Sequence, residues 1–399
     1  MQSRDAKPVL SQAEGNAKGR SARCARKANH ELRIALLDHS KHRGHRVKIE
    51  NSNRYGTERV SVIAVLLSAA IAGAAAADEV HFEGETHLAN VKQLTFGGEN
   101  AEAYFSRDGK ELILQRSFGD QQCDAIFRMD AGGGNLRRVS SGKGVTTCAF
   151  IAPDNRSIIY ASTHLVGDAC PPKPDYSQGY MWSLYRGYDI FSADSEGGNL
   201  RRLTNTDGYD AEAVYSPKGD KILFTSLRTG DLELFLMNPD GGGVEQVTFE
   251  PGYDGGAFFS FDGEWIVWRA SRPTGEALKD YRALLEKGLI RPGNLELYIM
   301  NLKDRKPIQL TNNGAANFGP YWHPDGKRII FSSNLNDPKG RNFDLYLIEV
   351  ETRRIERVTN YPGFDGFPMF SHDGKRLVFA SNRNGKVRGE TNIFIADWR

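Results

Sequence analysis

The sequence predicts an all-β protein, a six-bladed β-propeller closed by an N-terminal strand that completes the last blade. Three observations predict it. A unit of four short apolar segments recurs six times. Each unit opens with an inner strand running into a turn that is most often Asp-Gly. Finally, an isolated copy of the fourth segment, "VKQLTF" (91–96), precedes the first unit, while the sixth unit reaches Arg399 just after its third segment.

The first segment of each unit is seen in "AYFSRDGK" (103–110), "AFIAPDNR" (149–156) and "PMFSHDGK" (368–375), among others. Its Asp-Gly or Asp-Asn pairs supply the positive φ that a two-residue hairpin demands. The second segment is strongly apolar, as in "SIIYAST", "KILFTSL" and "RLVFASN"; the third follows as "DIFSAD" or "ELFLMN", and the fourth as "LRRLT" (200–204) or "IERVT" (355–359). Radial stacking then requires 91–96 to complete the C-terminal sheet and cover its exposed edge.

Turn positions Ser106, Ala152, Ser216, Ser260, His323 and Ser371 are 46, 64, 44, 63 and 48 residues apart. The second and fourth units therefore carry insertions, both between the second and third strands. In a four-stranded blade that connection opens on the face opposite the inner hairpins, so one face should be elaborated and the other trimmed. Binding residues are expected on the elaborated face.

The repeats resemble the TolB-type β-propeller unit, with its pattern FSPDGKxIxFxSxRxGxxDIYxMNxDGxxxxxLT, over residues 88–399. Six recurrences make that resemblance specific. It implies a six-bladed propeller and a periplasmic setting. TolB-like proteins carry an α/β domain ahead of the propeller, whereas here about ten residues (78–87) separate the apolar segment from "VKQLTF", so a Tol-Pal role is only weakly implied. The GxSxG nucleophile pattern of propeller peptidases is absent.

Residues 60–77, "VSVIAVLLSAAIAGAAAA", form an uncharged apolar run that follows Arg54 and Arg59 and ends in small residues. That is the pattern of a signal peptide, with cleavage expected near Ala77 and no stable membrane span afterwards. Residues 1–59 show no structural periodicity and are expected to be a non-structural extension, such as a translation start placed too far upstream. They hold 14 Lys/Arg against 6 Asp/Glu, leaving 38 basic and 44 acidic residues for the remainder. The mildly acidic remainder argues against a nucleic-acid-binding domain, because phosphate recognition needs a concentrated cationic surface, so no nucleic-acid partner is expected.

Export makes disulfides possible. Beyond the apolar run lie Cys123, Cys148 and Cys170, which allow one intrachain pair; Cys148–Cys170 is the expected one, pinning the first insertion.

Candidate binding residues follow from the repeat register. Six positions before each turn residue stand Asn100, Thr146, Asp210, Asp254, Asn317 and Asp365, expected to ring the channel mouth, with Glu102 and Glu212 two residues further on. Clustered carboxylates suit a cation or polar ligand, but they equally suit backbone N–H bonding between blades. At the outgoing ends of the second strands stand His164, Arg228, Arg272 and Arg383. Guanidinium groups there could grip a carboxylated sugar or peptide terminus, or pair with neighbouring aspartates.

The first insertion, 164–188, combines a proline cluster with Tyr176, Tyr180, Trp182, Tyr185 and Tyr188; the second contains "GEALKDYRALLEKGL" (275–289), expected to form an amphipathic helix lying over the blades as a partial lid.

The chain is accordingly expected to be an exported, periplasmic binding or protein-interaction module for a protein, peptide or glycan, without a cofactor or metal. The alternative is a glycan-acting enzyme resembling oligogalacturonide lyases. Such enzymes need clustered histidine ligands, and only His164 falls on the elaborated face.

Overall fold

A computed structural model of the protein describes residues 80–399. The expected signal peptide and the extension before it lie outside the described residues. Six four-stranded antiparallel sheets follow one another along the chain. Their inner strands are Glu99–Phe105, Thr146–Ile151, Asp210–Tyr215, Asp254–Phe259, Asn317–Trp322 and Asp365–Phe370, and these define blades 1 to 6.

The sixth sheet runs from Asp365–Phe370 through Arg376–Ser381 and Asn392–Trp398 to the N-terminal strand Leu88–Gln93. Leu88 pairs with Trp398 and Gln93 with Phe394. The residues just before that strand also dock on the last blades: His87 stacks on Trp398 at 4.9 Å, and Glu85 is buried against Arg383. The edge of blade 6 that would otherwise invite pairing with another chain is thereby occupied.

Packing between blades is carried by the apolar second and third strands. Trp268, Phe224, Phe331, Phe379 and Phe394 are fully buried, because alternate residues of these strands meet the next sheet instead of solvent.

The inner hairpins differ from the expected two-residue form. Gly109 N–H bonds the Ser106 carbonyl at 2.9 Å, and positive φ falls on Gly109 alone within that turn. This is a type I turn followed by one left-handed residue. Side chains favour it: Ser106 Oγ donates to Asp108 Oδ1 (2.7 Å), which also accepts from Lys110 N–H (3.1 Å).

The two insertions meet. Trp182–Ser183 of the first pairs with Leu289–Ile290 of the second as a two-stranded ribbon, so both lie on the face opposite the inner hairpins. Helix α1 (Gly275–Glu286) precedes Leu289 and turns Tyr281 and Leu285 inward, with Leu285 buried. Leu184, Tyr188, Tyr209, Tyr253, Leu285 and Ile290 share a separate apolar cluster over blades 2 to 4. Tyr281 Oη donates to Asp231 Oδ1 of blade 3 at 2.5 Å.

Among the described residues a disulfide joins Cys123 to Cys170, with Cα atoms 5.7 Å apart, and corrects the expected Cys148–Cys170 pair. Cys123 lies in the connection before the third strand of blade 1, beside the first insertion, whereas Cys148 belongs to the inner strand of blade 2 and lines the channel. The bridge therefore ties the blade 2 insertion to blade 1.

Candidate functional site

All six inner strands carry a β-bulge at one repeat position. In blade 3 the pairing steps from Ala211–Thr225 to Val214–Leu223, and the same irregularity occurs in the other five blades. The bulged residue has a left-handed backbone in each: Glu102, Cys148, Glu212, Gly256, Gly319 and Phe367, with φ between 52° and 59°. A bulge adds a residue to one strand and re-aims the side chain there. These six residues line a recess in the channel.

Glu212 is the most heavily bonded member. It forms an ion pair with Arg269 of blade 4 and accepts from Thr225 Oγ1 (2.7 Å) and Gly256 N–H (2.9 Å). Arg269 is almost wholly buried, and its guanidinium lies 5.0 Å from the Trp182 ring and 5.5 Å from that of Tyr253. Trp182 belongs to the insertion ribbon, so the ribbon forms part of the roof over the charged recess. Room for Arg269 comes from its neighbour: a Cβ on Gly256 would meet Arg269 Nη1 at 1.7 Å.

Glu102 faces the same recess. Burial is the main cause raising its carboxyl to about 7, with a hydrogen bond from the Cys148 thiol opposing and the charge of Glu212 reinforcing the shift. Burial likewise pushes the Cys148 thiol well above its usual value, so it stays protonated at neutral pH. Cys148 Sγ lies 3.2 Å from Thr147 Oγ1, and its backbone N–H donates to Gln115 Oε1 of blade 1 (3.1 Å).

A raised folded-state value means that the folded protein holds the Glu102 proton more tightly than the unfolded chain does. The stability this contributes is complete below 4.5 and is lost as pH climbs through about 7. The Glu102→Gln variant should therefore match the wild type near pH 5 and exceed it near pH 8 by about 1–3 kcal/mol. Denaturant melts at the two pH values check this; an equal difference at both would contradict it.

The other acidic ring lies elsewhere. Asp210, Asp254 and Asp365 are fully buried inside their blades and do not ring the channel mouth as expected. Each takes the arginine from the exit of its own second strand: Arg228 to Asp210 at 3.1 Å, Arg272 to Asp254 at 2.7 Å and Arg383 to Asp365 at 2.7 Å. Burial raises Asp254 to about 6 against the opposing pull of Arg272. The guanidinium groups also stack on aromatic rings, Arg228 over Phe224 and Phe235 (4.9 Å each) and Arg272 over Tyr298 (5.1 Å). His164 fills the corresponding place in blade 2, with Nδ1 2.8 Å from Ser162 Oγ and its ring 4.4 Å from that of Phe191. Burial, then Arg202 and Lys143, lowers its value, so it is uncharged at neutral pH.

Of the residues expected at the site, only Glu102 and Glu212 line the recess, together with Cys148. Arg269 escaped the sequence reading. Its signal is a basic residue inside the apolar run "WIVWRA", cross-strand from the Gly-Gly of "DGGAFF".

Below this recess an aromatic layer crosses the channel. Phe258 lies 5.4 Å from Tyr104 and 5.1 Å from Tyr321, ring to ring.

Known proteins resemble this arrangement. The TolB beta propeller domain family matches residues 172–281. A putative TolB from Agrobacterium tumefaciens superposes over 77% of this chain and 97% of its own, with 17% identity and a TM-score of 0.52. TolB from Acinetobacter baumannii covers 75% of this chain and 64% of its own, at 18% identity and a TM-score of 0.49. With the six sheets and their repeat sequence, the family match over 172–281 and the likeness to the Agrobacterium protein give the chain a six-bladed β-propeller fold of the TolB type.

Proposed function

We propose that the protein is an exported binding module that receives a peptide or protein partner on its insertion-bearing face. The observation that carries this reading is the ribbon between Trp182–Ser183 and Leu289–Ile290, which fixes two long insertions from separate blades into one platform beside the charged recess. Preorganised loops lose little entropy on binding, which favours recognition. Tyr176 and Tyr180 stack at 6.0 Å on this insertion and remain about half exposed, at 48% and 59%. Tyrosines so placed are typical anchors of protein contacts. Export rests on the signal-like segment 60–77.

Panning a displayed-peptide library on the protein and on a Tyr176→Ser/Tyr180→Ser variant tests the proposal, with a glycan array in parallel. Peptides enriched by the wild type and weakened about tenfold or more by the variant are expected. Enrichment indifferent to the tyrosines, or release of unsaturated uronides from oligogalacturonides in an absorbance assay, would displace it.

A further inference from the structure

The trimmed face carries a site of its own. At the centre of each inner hairpin the repeat has one position just after the turn residue, and three blades place proline there: Pro153, Pro217 and Pro324. Blades 1, 4 and 6 depart from it with Arg107, Phe261 and His372. All three departures line one recess at the hairpin end of the channel, to which every blade contributes. Pro153 and Pro217 border the same recess, so the three departures change the chemistry of its rim, and hairpin formation does not explain them, since the prolines serve that turn equally well.

The chemistry of the recess is consistent. Its floor is the aromatic layer, with Phe258 lining the recesses on both sides. Phe261 forms a wall, 4.9 Å from the His372 ring and 5.9 Å from Tyr321. Arg107 reaches from blade 1 across to blade 3, where Nη1 donates to the Pro217 carbonyl at 2.8 Å. That bond sets the guanidinium across the mouth, and a guanidinium has five N–H donors in a planar fork. Among the described residues no carboxylate lines the recess. The acids next to Arg107 and His372 are turned into their own hairpins: Asp108 accepts from Ser106 Oγ at 2.7 Å, and Asp373 from Ser371 Oγ at 2.6 Å.

We propose that this hairpin-face recess binds a compact aromatic carboxylate, with Arg107 holding the carboxylate and Phe261 and Phe258 enclosing the ring. The group could be a free aromatic acid or the C-terminal aromatic residue of a peptide; both present a ring near a carboxylate. The site goes beyond the interaction face, since it opens on the opposite side of the propeller.

Titration calorimetry and ligand-detected NMR on the full-length protein test this with phenylacetate, phenylacetamide and a short N-acetylated peptide ending in Phe. Saturable phenylacetate binding is expected, with the amide about tenfold weaker or worse, because a charged hydrogen bond is lost. Arg107→Pro and Phe261→Pro restore the residue the repeat uses elsewhere, so the hairpins should survive, and each should weaken binding about tenfold. Phe249→Ser, at an exposed position, should leave it unchanged. Tighter binding of the peptide assigns the site to chain termini, and tighter binding of phenylacetate assigns it to free acids. Absence of saturable binding by either acid, equal affinity for the amide, or an unaffected Arg107→Pro variant would overturn the assignment.

Discussion

Replacing Arg383 by Met is expected to destabilise the protein by about 3–5 kcal/mol, the usual consequence of leaving a buried charge without its partner. Arg383 is wholly buried and bonds Asp365 Oδ2 (2.7 Å), both Glu85 oxygens (3.0 and 3.2 Å) and the Val80 carbonyl (2.8 Å). Met keeps the apolar stem packed between Phe379 and Phe82, whose rings lie 5.0 and 5.2 Å from the guanidinium carbon. What is lost is the charge, and two buried carboxylates are left facing each other. Burial already raises Asp365 while Arg383 restrains the shift; without the arginine, Asp365 should take up its proton at a higher pH. The deficit should therefore shrink on acidification. Arg228→Met, at a site where the side chain keeps 16% of its exposure and meets a single carboxylate, should cost less than half as much. Denaturant melts of both variants at pH 5 and pH 8 provide the measurement. A loss under about 1 kcal/mol, or one equal at both pH values, would show that the cluster is not held by charge.

A chain lacking residues 80–96 is expected to lose cooperative unfolding altogether. The deletion removes the fourth strand of blade 6, the buried Leu88 and Leu94, and the Glu85 partner of Arg383. Two buried leucines contribute about 1.5–3 kcal/mol each. Arg383 keeps Asp365 but loses its charged bonds to Glu85, which brings the total to roughly 4–9 kcal/mol, comparable with the whole stability of an ordinary domain. A synthetic peptide of residues 80–96 supplied in trans should restore the transition, because the gap it fills is a preformed sheet edge. If the shortened chain melts within a few degrees of the intact one, that strand has no part in closing the ring.

Repeat number, strand order and the shared face of the insertions were legible because they depend on period and spacing alone. Helix α1 was legible for a related reason: Leu278, Tyr281 and Leu285 fall on one stripe whatever lies beneath them. The channel lining was misread because alternation was carried straight through the inner strands. Asp210 and Glu212, two residues apart, should share a face in a regular strand. The bulge at Glu212 inserts a residue between them and the rest of the ladder, so Asp210 turns into its blade while Glu212 turns into the channel. Nothing in "DAEAVY" marks that irregularity, since Glu is not a residue that ordinarily adopts positive φ. Gly256 and Gly319, at the same position in blades 4 and 5, are the trace it leaves in the sequence. The cysteine pairing failed with it: once the bulge directs Cys148 to the axis, Cys123 is the thiol beside the insertion.

The ribbon joining the insertions of blades 2 and 4 makes the molecule mechanically uneven. A propeller sealed only at its seam can breathe between any two neighbours, but here a strap passes over blade 3 and couples the sheets on either side. Together with the Cys123–Cys170 link it fastens blades 1 to 4 into a stiff arc. Among the described residues no such strap reaches blades 5 and 6, and the outer edge of blade 6 is held instead by the N-terminal strand.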